Sequence, residues 1–141
     1  MMKYPIGIQS FSQIIEDGYV YADKTALVYD LVTTGKVYFL SRPRRFGKSL
    51  LVSTLECYFG ARKELFKGLA MERLEKNWYA YPVFKIDFNG GEYKQEGTLT
   101  STLLYYIELW EKDYGATSPE APIGKRFEQI CLLYTSDAAD E

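Results

Sequence analysis

The stretch Val37-Tyr-Phe-Leu-Ser-Arg-Pro-Arg-Arg-Phe-Gly-Lys-Ser49, continued by Leu50-Leu-Val-Ser-Thr-Leu-Glu-Cys-Tyr-Phe59, decides how the chain is read. Val37 to Ser41 is a short, mostly apolar run between turn signals, the pattern of a strand buried on both faces of a parallel sheet. From Lys48 onward, Leu51, Leu55 and Tyr58/Phe59 recur on one helical face, and Gly60 closes the segment. Arg42 to Gly47 separate the two. The order is strand, loop, helix.

Working outward, Ser10 suits the N-cap of a short helix that stops before Gly18, and Tyr19 to Ala22 reads as a brief extended piece. Asp23 suits the N-cap of a second helix, Lys24 to Thr34, with Leu27, Val28, Leu31 and Val32 as its apolar stripe and Gly35 at C′. Downstream, a helical stretch is expected within Lys63 to Lys76. Val83 to Phe88 alternates as a second strand, stopping at Asn89-Gly-Gly91. Thr98 to Asp113 is an amphipathic helix with Leu103, Leu104, Ile107 and Trp110 on one side, and Lys125 to Ile130 begins another. Alternating strands and helices imply an α/β domain built on a parallel sheet. The expected organisation is a helical segment over 1–36, a core over 37–130 and a tail over 131–141.

The 141 residues suffice for one domain with a real core. Hydrophobic residues at 47% and charged residues at 26% place the chain among globular proteins. A net charge of −2 argues against a general nucleic-acid coat, although Arg42, Arg44, Arg45 and Lys48 form a local basic cluster. The absence of histidine removes imidazole acid–base chemistry and most zinc sites. Cys57 and Cys131 fit neither a disulfide framework nor a metal quartet, and Cys57 reads as a small buried apolar residue. No apolar run reaches the roughly 18 residues that span a bilayer, and no signal-peptide core is present, so a reducing, cytoplasmic setting is expected.

Gly47-Lys48-Ser49 is the second half of the phosphate-loop pattern Gly-x-x-x-x-Gly-Lys-[Ser/Thr], with Arg42 where the first glycine stands. Each position has a separable task. Gly47 lets the backbone approach phosphate closely. Amides from Arg45 through Phe46 to Ser49 would form an inward-facing nest at the positive end of the helix. The Lys48 ammonium would reach the β- and γ-phosphates and offset charge in phosphoryl transfer, and the Ser49 hydroxyl would bind magnesium. The candidate nucleotide contacts are therefore Arg44, Arg45, Phe46, Gly47, Lys48, Ser49 and Leu50, with Lys48 as the catalytic candidate and Ser49 as the metal ligand. Arg42, Arg44 and Arg45 are as well explained by a solvated basic rim as by phosphate contact.

Tyr21-Ala-Asp-Lys-Thr25, the octapeptide Arg42 to Ser49, Glu64-Leu-Phe-Lys-Gly-Leu69 and Tyr81-Pro-Val83 together resemble the AAA-ATPase-like family of bacterial proteins, from about Tyr4 to Ile130. The resemblance implies a P-loop NTPase-type parallel sheet flanked by helices, ATP and magnesium as ligands, and an ATPase domain that often precedes a restriction-endonuclease-like domain. A nucleic-acid partner is implied only through that downstream domain. Within the family's pattern the lost first glycine is normal, and Asp23 and Lys24 lie near the base side of the nucleotide. From the residues themselves Asp23 reads as a helix N-cap and Asp87 as structural.

Hydrolysis in this family needs an apolar strand ending in Asp-Glu, expected soon after Ile130. Asp137-Ala-Ala-Asp-Glu141 follows no such strand. The tail Cys131 to Glu141 resembles the translated read-through of a sequencing adapter, which would make the chain an N-terminal fragment truncated before the acidic-motif strand. The expectation is an ATP-binding fragment, inactive in hydrolysis, of a protein that hydrolyses ATP. The alternative is a non-catalytic nucleotide-binding or interaction module.

Overall fold

Ser10 accepts the Gln13 amide at its Oγ and starts α1, Phe11–Glu16, as its residue type predicts. The other end of the cap is tertiary, because the Phe11 amide donates to Ser53 Oγ, far along the chain, at 2.9 Å. This computed structural model describes residues 2–43, 47–89, 91–115 and 120–139, with 134–139 described by backbone alone. Along the chain follow α2 (Thr25–Thr34), α3 (Lys48–Phe59), a 3-10 turn (Lys63–Phe66), α4 (Ala70–Leu74), α5 (Thr98–Tyr114) and α6 (Ile123–Ala139). The chain divides into two units, Met1–Val83 and Phe84–Glu141.

The expected parallel sheet is absent among the described residues, and the α/β, P-loop NTPase-type assignment is corrected accordingly. Among the described residues the architecture is helical, and the one piece of β pairing is an isolated parallel bridge between Lys3 and Tyr19. Val37 to Ser41 and Val83 to Phe88 have no partner ladder. Val37 is 91% and Phe39 93% exposed, the opposite of a strand buried on both faces. A strand exists only through hydrogen bonds to a neighbour. An apolar run signals a demand for burial without supplying that neighbour, so periodicity alone could not decide the matter.

The first unit is held by a cluster in which Phe11, Val28, Cys57, Leu65, Phe66 and Met71 are buried, drawn from α1, α2, α3, the 3-10 turn and α4. Phe66 is its hinge point, with ring centroids 4.9 Å from Phe11 and 5.2 Å from Trp78. Burial pushes the Cys57 thiol up and keeps it an inert apolar filler, as its place in the helix pattern suggests. In the second unit α5 and α6 pack around Ile107 and Ile130, with Phe84 set edge-on to Trp110 at 4.7 Å. Arg126 Nε donates to Glu111 Oε1 at 2.6 Å, and both side chains are nearly withdrawn from solvent. That ion pair fixes the register of α6 on α5.

Helix ends depart from the sequence reading in instructive ways. The stretch expected to be helical within Lys63 to Lys76 is broken in two, with Gly68 at φ 81° between the halves. Gly35 does end α2, but in an extended rather than a left-handed conformation. At the end of α3 the left-handed residue is Ala61, at φ 57°, and not Gly60. The Ala61 amide donates to Tyr58 O and the Arg62 amide to Cys57 O, each at 3.1 Å, which is the paired closure of a Schellman motif. An L-residue in this conformation is strained by about 1–2 kcal/mol. Ala61→Gly is therefore expected to stabilise the fold by about 1 kcal/mol, part of the relief being lost to the freer unfolded chain. Urea denaturation midpoints of the two proteins check this.

Candidate functional site

Of the sequence-selected residues, Arg44, Arg45 and Phe46 lie outside the described residues. Gly47 adopts the left-handed conformation, φ 82° and ψ 12°, at the N-cap of α3. A Cβ added there would meet nothing within 4 Å, so the backbone borders open space. Lys48 and Ser49 occupy the first turn and are exposed, while Leu50 is half-buried and packs on the core of the first unit. Gly47 O accepts the Leu51 amide at 2.9 Å, the first intrahelical bond. By helix geometry the amides of Lys48, Ser49 and Leu50 have no acceptor inside the helix, and the N-cap, Gly47, brings no side chain to cap them.

The helix carrying these amides is firmly seated. Thr54 and Cys57 are buried on its inner face, Ser53 binds the start of α1, and Leu51 and Leu55 pack on the core cluster. The expected helix thus stands behind the loop, whereas the expected strand in front of it does not. Lys48 Nζ donates to Arg42 O at 2.6 Å. Three donors, a helix dipole and an ammonium group on one turn suit an anion of high charge density. A single hydroxyl at Ser49 suits magnesium, which retains waters and takes phosphate oxygens for most of its octahedron. Among the described residues no group of three or more His, Cys, Asp or Glu side chains is placed to hold a metal.

The N-cap of α2 is Lys24 and not Asp23 as expected; Asp23 stands one residue ahead of the cap and is held by a different set of bonds. Its Oδ1 accepts the Thr25 amide at 3.0 Å and the Thr25 hydroxyl at 2.6 Å, while its Oδ2 accepts the Ala70 amide at 2.8 Å. The same Thr25 Oγ1 accepts the Met71 amide at 3.0 Å. One carboxylate and one hydroxyl thereby tie the starts of α2 and α4 together. Nothing local in the sequence signals this link, because Ala70 and Met71 contribute only main-chain amides. Asp87 accepts the Asn89 amide at Oδ1, and its backbone pairs with Tyr106 Oη, which fits a turn-forming role.

Burial pushes the Asp23 carboxyl up, but the Thr25 hydroxyl and amide, the Ala70 amide and the field of Arg73 together outweigh it and hold the group below its ordinary value. The folded chain therefore keeps this carboxylate ionised after the unfolded chain has begun to take up a proton. Its stabilisation is complete above about pH 4 and is lost as pH falls through the lower folded value. Between about pH 6 and pH 3, wild type should lose more stability than Asp23→Asn, measured by urea midpoints at each pH. Parallel slopes would rule out the linkage. Thr25 is fully buried, so Thr25→Val should cost about 1–3 kcal/mol by leaving the Met71 amide without an acceptor.

The geometry can be set beside known proteins. The sequence profile of the family described as predicted AAA-ATPase matches residues 5–139. An uncharacterized protein from the vnfD 5′ region of Azotobacter chroococcum mcd 1 is 37% identical over 129 residues, covering 91% of this chain. The chain spans 25% of that relative's length. No solved structure matches. Among the described residues no helix is long and apolar enough to cross a membrane. With the match extending over nearly its whole length, the chain belongs to the predicted AAA-ATPase family.

Proposed function

We propose that this chain binds ATP with magnesium, the triphosphate resting on the first turn of α3. The observation that carries the reading is Gly47, left-handed and bordered by open space, directly ahead of a helix that begins Lys48-Ser49. A left-handed residue before a helix turns successive amides toward a common side, the arrangement of an anion nest. The amides of Lys48, Ser49 and Leu50 donate to phosphate oxygens, and Lys48 exchanges the Arg42 carbonyl for the β- and γ-phosphates. The sequence pattern adds Arg44, Arg45 and Phe46, which lie outside the described residues, to the proposed contacts. When bound, magnesium screens the charge of the β- and γ-oxygens, and Ser49 Oγ holds one of its positions.

Membership of a predicted ATPase family supports nucleotide use. For a longer protein such as the relative, the reading extends to ATP hydrolysis coupled to conformational change. A nuclease-like domain and a nucleic-acid substrate rest on the family resemblance alone. The sequence holds no apolar run ending in the Asp-Glu pair that would position magnesium and the attacking water, and the reading proposed for this chain is binding without turnover.

Calorimetric titration with ATP, with and without magnesium, tests the assignment. Lys48→Ala should weaken binding by about tenfold to a hundredfold, the worth of a charge-assisted hydrogen bond. Ser49→Ala should weaken it only when magnesium is present. Equal affinity in wild type and Lys48→Ala would overturn the site, and steady-state phosphate release by the wild-type chain, abolished in Lys48→Ala, would overturn the claim of binding without turnover.

A further inference from the structure

At the far end of α3 from the phosphate loop, the first unit has a cavity of about 260 Å³ whose walls are largely aromatic. Tyr58 and Phe59 come from the last turn of the helix, and Trp78, Tyr79 and Tyr81 from the extended segment after α4. A backbone bond from the Tyr81 amide to Phe59 O, 2.7 Å, holds that segment against the helix end. The rings stand at steep angles to one another: Tyr58 to Phe59 at 67°, Tyr58 to Trp78 at 65° and Phe59 to Tyr81 at 80°. The rings therefore meet one another edge to face around the cavity. Trp78 is placed by its ring contacts with Phe66 and Tyr58, its indole N–H being buried with no hydrogen-bond partner among the described residues. Tyr79 and Tyr81 are 63% and 54% exposed, a large aromatic area left open to solvent.

One charged residue, Glu75, lines the cavity. Its Oε2 accepts the Tyr58 hydroxyl and its Oε1 accepts the Asn77 amide at 3.0 Å, so the carboxylate is fixed in place. Each oxygen keeps a further lone pair, and the negative charge stays at the wall. Aromatic faces attract cations through their quadrupoles, most strongly for Trp and Tyr within about 6 Å of the ring centre. A fixed carboxylate adds a Coulomb attraction that the cation can use without forming a hydrogen bond.

We infer that this cavity binds a small organic cation with a methylated ammonium head, enclosed by Tyr58, Phe59, Trp78 and Tyr81 and balanced by Glu75. A methylated ammonium is weakly hydrated, cannot compete for the hydrogen bonds that Glu75 already makes, and covers the exposed ring area. The volume lies just below the roughly 300 Å³ at which small-molecule pockets begin, which suits a compact head group rather than a nucleotide. The site is separate from the phosphate loop and does not depend on the nucleotide reading.

The same head group occurs in free choline-like molecules and in methylated lysine, and parallel calorimetric titrations of the 141-residue chain with choline and with N-acetyl-trimethyllysine amide separate these sources. The control probe is 3,3-dimethyl-1-butanol, the uncharged carbon counterpart of choline. Choline or the lysine derivative should bind saturably, and at least about tenfold more tightly than the neutral control. Tyr81→Ala, at an exposed position, should weaken binding by about tenfold with an unchanged circular dichroism spectrum, and Glu75→Gln should weaken it similarly. Equal binding of choline and its neutral counterpart, unchanged binding in Tyr81→Ala, or no saturable binding of either cation would overturn the inference.

Discussion

Three amides at the start of α3 have no carbonyl to bond within their own helix, and that deficit organises the most informative region of the molecule. Every helix leaves such donors unmet, and most helices meet them with a side-chain cap or with water. Here the preceding residue is Gly47, which brings no side-chain acceptor and leaves the space beside it open. The next two residues are a lysine and a serine. A cationic helix end without an internal acceptor is poised for an external one, and the anchoring of α3 by Ser53, Thr54 and Cys57 keeps that end from relaxing into another arrangement.

Helices were legible where a periodic stripe and a stop residue coincided. Ile107 and Trp110 on α5, the Ser10 cap of α1 and the span of α3 followed directly from spacing and residue type. The expected sheet was a misreading, because Val37 to Ser41 and Val83 to Phe88 state a preference for burial and say nothing about a neighbour. Their assignment as strands rested on a pairing partner the sequence could not name, and the described residues contain none. Gly60 closes α3 as read, but nothing in the sequence marks Ala61, the next residue, as the one that takes the left-handed conformation.

The candidate site divides along the same line. Gly47, Lys48 and Ser49 were singled out because the sequence pattern is local, a few consecutive residues, and the structure sets them together at the start of α3; their role with phosphate is the proposal. The Asp23–Thr25 tie to Ala70 and Met71 was illegible, since it joins positions far apart in sequence through amides that any residue type carries. The aromatic cavity was hidden for a related reason. A high tyrosine content registered as composition, yet only folding shows that Tyr58, Tyr79 and Tyr81 line one cavity with Glu75.

The bond from Lys48 to the Arg42 carbonyl has a consequence for selectivity. Any anion that recruits this ammonium must first displace an acceptor already in place, and a carbonyl dipole in an exposed setting is a modest but real competitor. A singly charged, diffuse anion gains little over it. A polyphosphate concentrates several charges within reach of one ammonium and wins the exchange. On the proposed reading the loop thus discriminates by charge density at the threshold, before any contact with sugar or base is made.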